Sequence, residues 1–485
     1  MRLLPLILLF ATAAHAAAPE RACSWIFEPT YDRENILFPE VTTRYLAAII
    51  PAPPGGGYIE VVGIFPHARY MSLQTYTTTL QTISNLHDTQ IVPDEGSSNP
   101  FLTGADRTAT QRSYTVRVLD EQAPANPPPN TLYYRTADGV QSGRVLVYRI
   151  YVPDAGTDRY ANAPAPALTI VLPTGLRIPV PDCPDLVPDT SFLTLEIAKS
   201  GASDYPLPPL GAFGREHPEW RKYYNAPTGY VDMFTNNELL GPLNPTLRDI
   251  ATQLPAGLGE NADNKYVYTG LSREFGNVAL IRAKKPATPH TLNGEAQMDS
   301  GQLRFWSMCS GNRASMVYDC VIDENLPLDG DGNFSIAVST ASDRPANAKD
   351  ECGVAWLPWG PDAIISMIMR NMLPADDFKN SVQAADQGTE KQTLAEFYPE
   401  VTYYNAPTDF DAAVGCNTPA TPGTTSAATS ADTSTSASTS GGGSLDLSLL
   451  LLCELLALAR AQVPRGFARR VGCALKGSSG HGCRG

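Results

Sequence analysis

The sequence predicts an all-β protein: two tandem antiparallel jelly-roll-like β-sandwich domains with a few short helices. Three observations predict it. Short β-branched and aromatic runs recur at regular spacing with turn clusters between them, which is the pattern of sandwiches and barrels. Proline (42) and glycine (38) are scattered through the 485 residues without a period, which excludes collagen and long helical bundles. Matching blocks recur in the two halves of the chain, so one design is used twice.

Residues 1–16 read as a signal peptide. Arg2 supplies the positive end, Leu3–Phe10 is an apolar run too short to span a bilayer, and Ala14-His15-Ala16 is a cleavage site for signal peptidase. Residues 17–184 form the first β-domain. Its strands are expected at Tyr58–Phe65, Tyr70–Tyr76, Ser113–Leu119, Arg144–Val152 and Leu168–Leu172, separated by Pro- and Gly-rich turns. Residues 185–260 are a mixed connecting region, with helices expected at Glu216–Tyr224 and Asn244–Gln253. Pro245 sits near the start of the second and Pro255 lies just beyond its end. The second β-domain covers 261–416, with strands at Tyr266–Thr269, Asn277–Arg282, Gln302–Met308, Phe334–Ser339, Ala363–Met372 and Tyr398–Tyr404. Asp376–Phe397 has helical composition.

Residues 417–444 are a Ser/Thr/Gly-rich stalk, too polar to bury apolar surface, that ends in Gly441-Gly442-Gly443-Ser444. Residues 445–485 hold the apolar stretch Leu445–Ala459, marginal as a transmembrane helix because it is short and carries Asp446 and Glu454. Arg460, Arg465, Arg469 and Arg470 follow. A stalk, a glycine cluster, a hydrophobic stretch and a basic end resemble the GlyGly-type C-terminal sorting signal of Gram-negative bacteria. The resemblance implies a rhomboid-like sorting protease that cuts near Gly441, Gly442 and Gly443, and a protein delivered to the cell surface or medium. The arginines fit the positive-inside rule.

Six of the nine cysteines lie in the body, an even number that suits disulfides in an exported chain. Position suggests Cys309 with Cys320 as a hairpin clip, Cys23 with Cys183 around the first half, and Cys352 with Cys416 at the end. No C-x-x-C pair supports a thioredoxin-like or zinc-ribbon reading.

The duplication is read from two pairs of blocks. Ala68-Arg-Tyr-Met-Ser-Leu73 matches Leu303-Arg-Phe-Trp-Ser-Met308, and Arg149-Ile-Tyr-Val-Pro-Asp154 matches Arg370-Asn-Met-Leu-Pro-Ala375. An acidic, turn-rich loop lies between the blocks of each half, Asp88–Asn99 and Asp319–Asn333. Arg-Phe-Trp-Ser at 304–307, Asp329-Gly-Asp-Gly-Asn333 and Trp356-Leu-Pro-Trp-Gly-Pro361 before Arg370 resemble the exported bacterial tandem domains of unknown function numbered 1254 and 1214. That resemblance implies antiparallel jelly-roll-like sheets and no particular activity.

Chemistry is harder to read. Removing the two ends (7 basic, 2 acidic residues) from the chain total of 36 basic and 50 acidic leaves 29 against 48, or −19. So acidic a body repels phosphate backbones, and nucleic acid is excluded as a partner. The histidines show no metal-ligand spacing, and no nucleophile elbow, phosphate loop or dinucleotide fingerprint occurs. No cofactor is implied beyond a loose Ca2+ site using Asp323, Asp329 and Asp331. Counting from Asp329 puts Thr340 where a calcium loop needs a bidentate Glu, so the bland alternative there is a hairpin turn. Arg69, Arg149, Arg304 and Arg370 are the candidates for binding an anionic ligand, against a structural role at strand ends. The sequence thus reads as an exported, surface-displayed or secreted β-protein that binds a glycan or envelope component. The alternative is a secreted hydrolase acting on polysaccharide through paired carboxylates.

Overall fold

The computed structural model describes residues 23–183 and 215–416, apart from short gaps at 33–34, 50–54, 78–79, 138–142, 226–227, 230, 233–242, 253–258, 296–297, 299–300 and 313–315. The signal peptide with Ala16, the stalk, Gly441–Gly443 and the marginal apolar stretch lie outside the described residues. Among the described residues no helix is long and apolar enough to cross a membrane.

The strands of the first half are β1 (Thr43–Ile49), β2 (Tyr58–Ile64), β3 (Ala68–Thr77), β4 (Thr82–His87) and β5 (Ser113–Gln122). They continue with β6 (Thr131–Arg135), β7 (Gly143–Pro153), β8 (Ala167–Val171) and the short β9 (Arg177–Pro179). They form two sheets, β1-β7-β3-β4 and β6-β5-β2-β8-β9. The second half opens with the two-residue β10 (Arg221–Lys222) and helix α1 (Asn244–Ala251). It then repeats the plan as β11 (Asn264–Ser272), β12 (Val278–Lys284), β13 (Leu303–Gly311) and β14 (Val317–Ile322). β15 (Asn333–Ser339), β16 (Ala355–Pro358), β17 (Ile364–Pro374) and β18 (Glu400–Tyr404) complete it. Its sheets are β10-β11-β17-β13-β14 and β16-β15-β12-β18. Helices α2 (Glu390–Leu394) and α3 (Pro407–Ala413) are single turns or little more.

Strand for strand, β1–β8 recur as β11–β18, and the registers agree. Ser72 opposes Arg149 as Ser307 opposes Arg370. Tyr45 opposes Arg149 on the other side, as Tyr266 opposes Arg370. Even the strained backbone recurs: Val152 (φ 51°) and Leu373 (φ 42°), each before a proline, and Phe38 (φ 52°) and Gly259 (φ 70°), each ahead of a first strand.

Two sequence expectations are corrected. Two of the four sheets are mixed rather than purely antiparallel, because β6 runs parallel to β5 and β16 parallel to β15, while the β1-β7-β3-β4 and β10-β11-β17-β13-β14 sheets are antiparallel throughout. The connection before β6 holds Pro124, Pro127, Pro128 and Pro129, which favour an extended return over a tight hairpin, so the strand re-enters in the same direction. The expected helix at Glu216–Tyr224 contains β10 instead, whose edge pairing with β11 overrides a weak helical pattern; within Asp376–Phe397 only α2 and one 3₁₀ turn are helical.

Each half has a core between its two sheets. Ile59, Val61, Leu73, Val116, Leu146 and Ile150 belong to the first, and Val267, Ile281, Trp306, Ile336, Leu357 and Met369 to the second. The other faces of the two inner sheets also meet. Tyr70, Tyr151 and Val152 of the first half share one buried cluster with Phe305, Ile322 and Met372 of the second. Strand β3 is therefore buried at all ten positions, which is why it can hold Arg69, Ser72 and Gln74 beside Met71 and Leu73.

Three disulfides staple the halves. Cys23–Cys183 closes the first, Cys309–Cys320 joins opposed positions of β13 and β14, and Cys352–Cys416 ties the end of the second.

Candidate functional site

The four repeated arginines all sit at or beside the seam between the halves, and none is presented to an outside ligand. Arg69 reaches across to Asp323, with Nη1 2.7 Å from both carboxylate oxygens, and to Glu324; all three side chains have no solvent exposure. Arg304 reaches back to Asp88 at 3.1 Å, with 15% of its side chain exposed. The exchange is reciprocal: each half's arginine uses the other half's aspartate. Each aspartate also accepts a backbone N–H of its own half, Asp88 from Met71 and Asp323 from Trp306, both at 3.0 Å.

Arg149 and Arg370 hold the segments that lead into β11 and β1. Arg149 Nη2 donates to the Gly259 carbonyl and Arg370 Nη2 to the Phe38 carbonyl, both at 2.6 Å. Each lead-in thus crosses to the opposite half. Beyond Gly259, Asp263 accepts from Tyr70 (2.7 Å) and Asn85 (3.0 Å) and lies 3.2 Å from His87. Ahead of Phe38, Asn35 exchanges two hydrogen bonds with Val317 and caps the open edge of β14. All four arginines thus have partners inside the fold, three of them buried, while Arg304 keeps 15% of its side chain exposed and Arg149 Nε has no hydrogen-bond partner.

The aspartates of the calcium expectation each have their own surroundings. Asp323 is taken by Arg69 deep in the seam. Asp329 accepts N–H groups of Asp331 and Asn333 and pairs with exposed Arg282, a self-satisfied turn, while Asp331 points to solvent. Among the described residues, one trio of potential metal ligands gathers its donor atoms within 4.8 Å: Glu40, Cys309 and Cys320. The two cysteines are disulfide-bonded, and Arg370 Nη1 lies against Cys309 Sγ, so a cation already fills that place.

A depression open to solvent lies where the repeat is broken, beside β10. Arg215, Pro218, Glu219, Arg221, Asp232, Tyr268, Thr269 and Gly270 line it. Its floor is a saturated carboxylate. Asp232, 4% exposed, receives Arg221 (3.1 Å) and Asn244 (2.9 Å) on Oδ1, and Tyr268 and Arg248 on Oδ2. Burial pushes the Tyr268 hydroxyl up to about 12, with Arg248 and Arg221 opposing the shift, so it remains a donor. The rim is different. Arg215 and Arg221 share Glu219 at 3.5 and 3.4 Å, and that carboxylate side chain is 59% exposed. Two lining guanidiniums, Arg215 and Arg221, face two lining carboxylates, Glu219 and Asp232, so the depression is charge-balanced in a chain of net charge −14.

Sequence reasoning missed this rim because it treated 185–260 as a connector, and it missed Asp88 as the partner of Arg304. The second was findable: the offset between Arg69 and Arg304 is 235, and adding 235 to Asp88 gives Asp323.

No protein-family model matches the chain, and no curated protein sequence matches it. Among solved structures, an uncharacterised protein from Burkholderia cenocepacia aligns with a TM-score of 0.40 and 13% identity. The alignment covers 72% of this chain and 78% of that one.

Proposed function

We propose that the protein is exported, released from the membrane by cleavage at its glycine cluster, and binds a carboxylate-bearing saccharide in the depression beside β10. Three disulfides suit an extracellular or periplasmic location. The observation that carries the binding role is the rim: Arg215 and Arg221 share one exposed carboxylate at 3.4–3.5 Å, with Arg221 anchored from below by Asp232. Such exposed pairs contribute about 0–1 kcal/mol, so an incoming carboxylate can displace Glu219 and take both arginines. Pro218 offers apolar surface for a sugar ring.

Calorimetric titration with a uronic-acid oligosaccharide and its neutral counterpart tests this. Only the acidic ligand should bind, Glu219→Gln should tighten it, and Arg221→Gln should abolish it. Equal binding of the neutral ligand, or none of either, overturns the reading. Hydrolysis through paired carboxylates is the weaker reading, because the four donors on Asp232 fill the lone pairs that proton transfer would need.

Export follows from the two ends of the sequence. Cleavage by signal peptidase after Ala16 and by a rhomboid-like protease near Gly441–Gly443 leaves a mature chain without Cys453, Cys473 and Cys483. Intact mass of the native product tests it. Replacing Gly441, Gly442 and Gly443 by Val should leave an uncut, membrane-retained precursor. A mature chain that still carries Arg469 and Arg470 overturns the sorting signal.

A further inference from the structure

The two halves solve one problem differently at Arg149 and Arg370. Arg149 Nη1 donates to the amide oxygen of Gln74 at 2.9 Å, a good acceptor. At the equivalent place in the second half, Arg370 Nη1 lies 2.7 Å from Cys309 Sγ. A disulfide sulfur accepts hydrogen bonds weakly, whereas a thiolate is an anion that a buried guanidinium stabilises well. Arg370 is therefore placed better for the reduced form of Cys309 than for the oxidised one.

The two cysteines also differ in exposure as residues, although both sulfurs are buried. Cys309 is 1% exposed and Cys320 is half-buried on the edge strand β14. Glu40 completes the surroundings: it brings a carboxylate oxygen within 4.8 Å of both sulfurs, and its Oε1 is buried with no hydrogen-bond partner. Among the described residues, the other disulfides have neutral groups beside a sulfur. Cys183 Sγ lies 2.8 Å from the Ser24 carbonyl, and Cys352 Sγ lies 4.0 Å from the Asn347 side chain, both neutral groups.

We propose that Cys309–Cys320 is a thiol–disulfide exchange site that accepts electrons from a dithiol, with Cys320 as the attacked sulfur and Cys309 as the leaving group. One thiolate of the dithiol attacks Cys320 Sγ. The Cys309–Cys320 bond breaks, its electron pair leaves on Cys309 beside Arg370, and a mixed disulfide forms on Cys320. The second thiol of the partner then attacks its own sulfur in that mixed disulfide and releases Cys320, which takes up a proton. The partner leaves as a disulfide and the protein gains two electrons. Glu40 takes a proton as Cys309 becomes charged, so Arg370 faces one negative group in either state. Asp319, whose Oδ1 accepts the Cys320 N–H at 2.8 Å, adds negative charge at the entrance and favours uncharged dithiols. The bond closes a loop of only 11 residues, so the fold loses the least when this disulfide opens.

The test uses the full chain, folded, in buffers of increasing reduced-to-oxidised dithiothreitol ratio, followed by alkylation and peptide mass mapping. Cys309 and Cys320 should be alkylated while Cys23, Cys183, Cys352 and Cys416 stay bonded. A brief pulse of mercaptoethanol, quenched in acid, should trap the mixed disulfide on Cys320. Arg370→Gln should slow opening about tenfold, and Arg370→Lys should restore part of the rate. Mixed disulfide on Cys309, or opening of all three bonds together only on unfolding, overturns the proposal. The wild-type mapping decides it even where Arg370→Gln fails to fold.

Discussion

Replacing Arg69 by Met should be among the most damaging changes to any charged residue of the seam. The guanidinium is fully buried, bonds both oxygens of Asp323 at 2.7 Å, reaches Glu324, and donates from Nε to Thr291 at 3.1 Å. Methionine fills much of the volume but leaves two buried carboxylates without the guanidinium that bonds them, with Lys285 as the remaining nearby cation. Breaking a buried pair by removing one partner costs about 3–5 kcal/mol. The repeat supplies an internal control. Arg304 makes one 3.1 Å contact to Asp88, is partly exposed, and leaves Asp88 with its Met71 N–H, so Arg304→Met should cost about 1–3 kcal/mol. Urea unfolding at neutral pH, with m-values compared, measures both. Replacing Arg69, Asp323 and Glu324 together with Met, Leu and Leu should recover most of the loss, because an apolar cluster of similar volume has no charge to desolvate. A cost for Arg69→Met below about 1 kcal/mol, or no larger than that for Arg304→Met, would refute the argument that the seam depends on this ion cluster.

Three further outcomes are expected. A Cβ at Gly301 would stand 2.7–2.8 Å from the Ala287 and Leu303 carbonyls and Thr288 Cα, all backbone, so Gly301→Ala should lower stability by about 1–3 kcal/mol in thermal or urea unfolding. Burial alone would raise the Asp263 carboxyl, but hydrogen bonds from His87, Tyr70 and Asn85 outweigh it and hold the group below its ordinary 3.8. Its stabilising contribution is therefore complete above that value and lost as pH falls through the lower folded value; acid titrations followed by circular dichroism should show a shallower decline below pH 4 for Asp263→Asn. Removing Cys23–Cys183, which closes 160 residues, should cost about 5 kcal/mol by loop entropy, against about 3 kcal/mol for Cys309–Cys320 with its 11.

Much of this architecture is legible in the sequence because local and global signals agree. The Arg-aromatic-x-Ser strings of β3 and β13 carry the same register in space, and an even set of body cysteines pairs as their positions suggest. Strands β1, β4, β6, β14 and β16 carry weaker signals. β4 holds Asn85 and His87, polar residues whose partner Asp263 lies 176 or more positions away, and no local pattern encodes that. The parallel pairings escape for the same reason, being set by the connections that lead into β6 and β16 and not by the strands themselves. The candidate site was the least legible part. Arg221 and Asp232 acquire meaning only when α1 brings Asn244 and Arg248 to them, and composition cannot express that juxtaposition.

The reciprocity of Arg69 with Asp323 and Arg304 with Asp88 has a consequence for what one half could do alone. A chain of β1–β8 only would carry both the arginine and the aspartate on one patch, which is self-complementary: a second copy rotated by a half-turn satisfies both pairs at once. Such an isologous dimer would come apart on dilution. Joining the copies in one polypeptide removes that concentration dependence and frees each copy to diverge. The sulfur at 309 where its twin holds the Gln74 amide is a divergence that fusion permits.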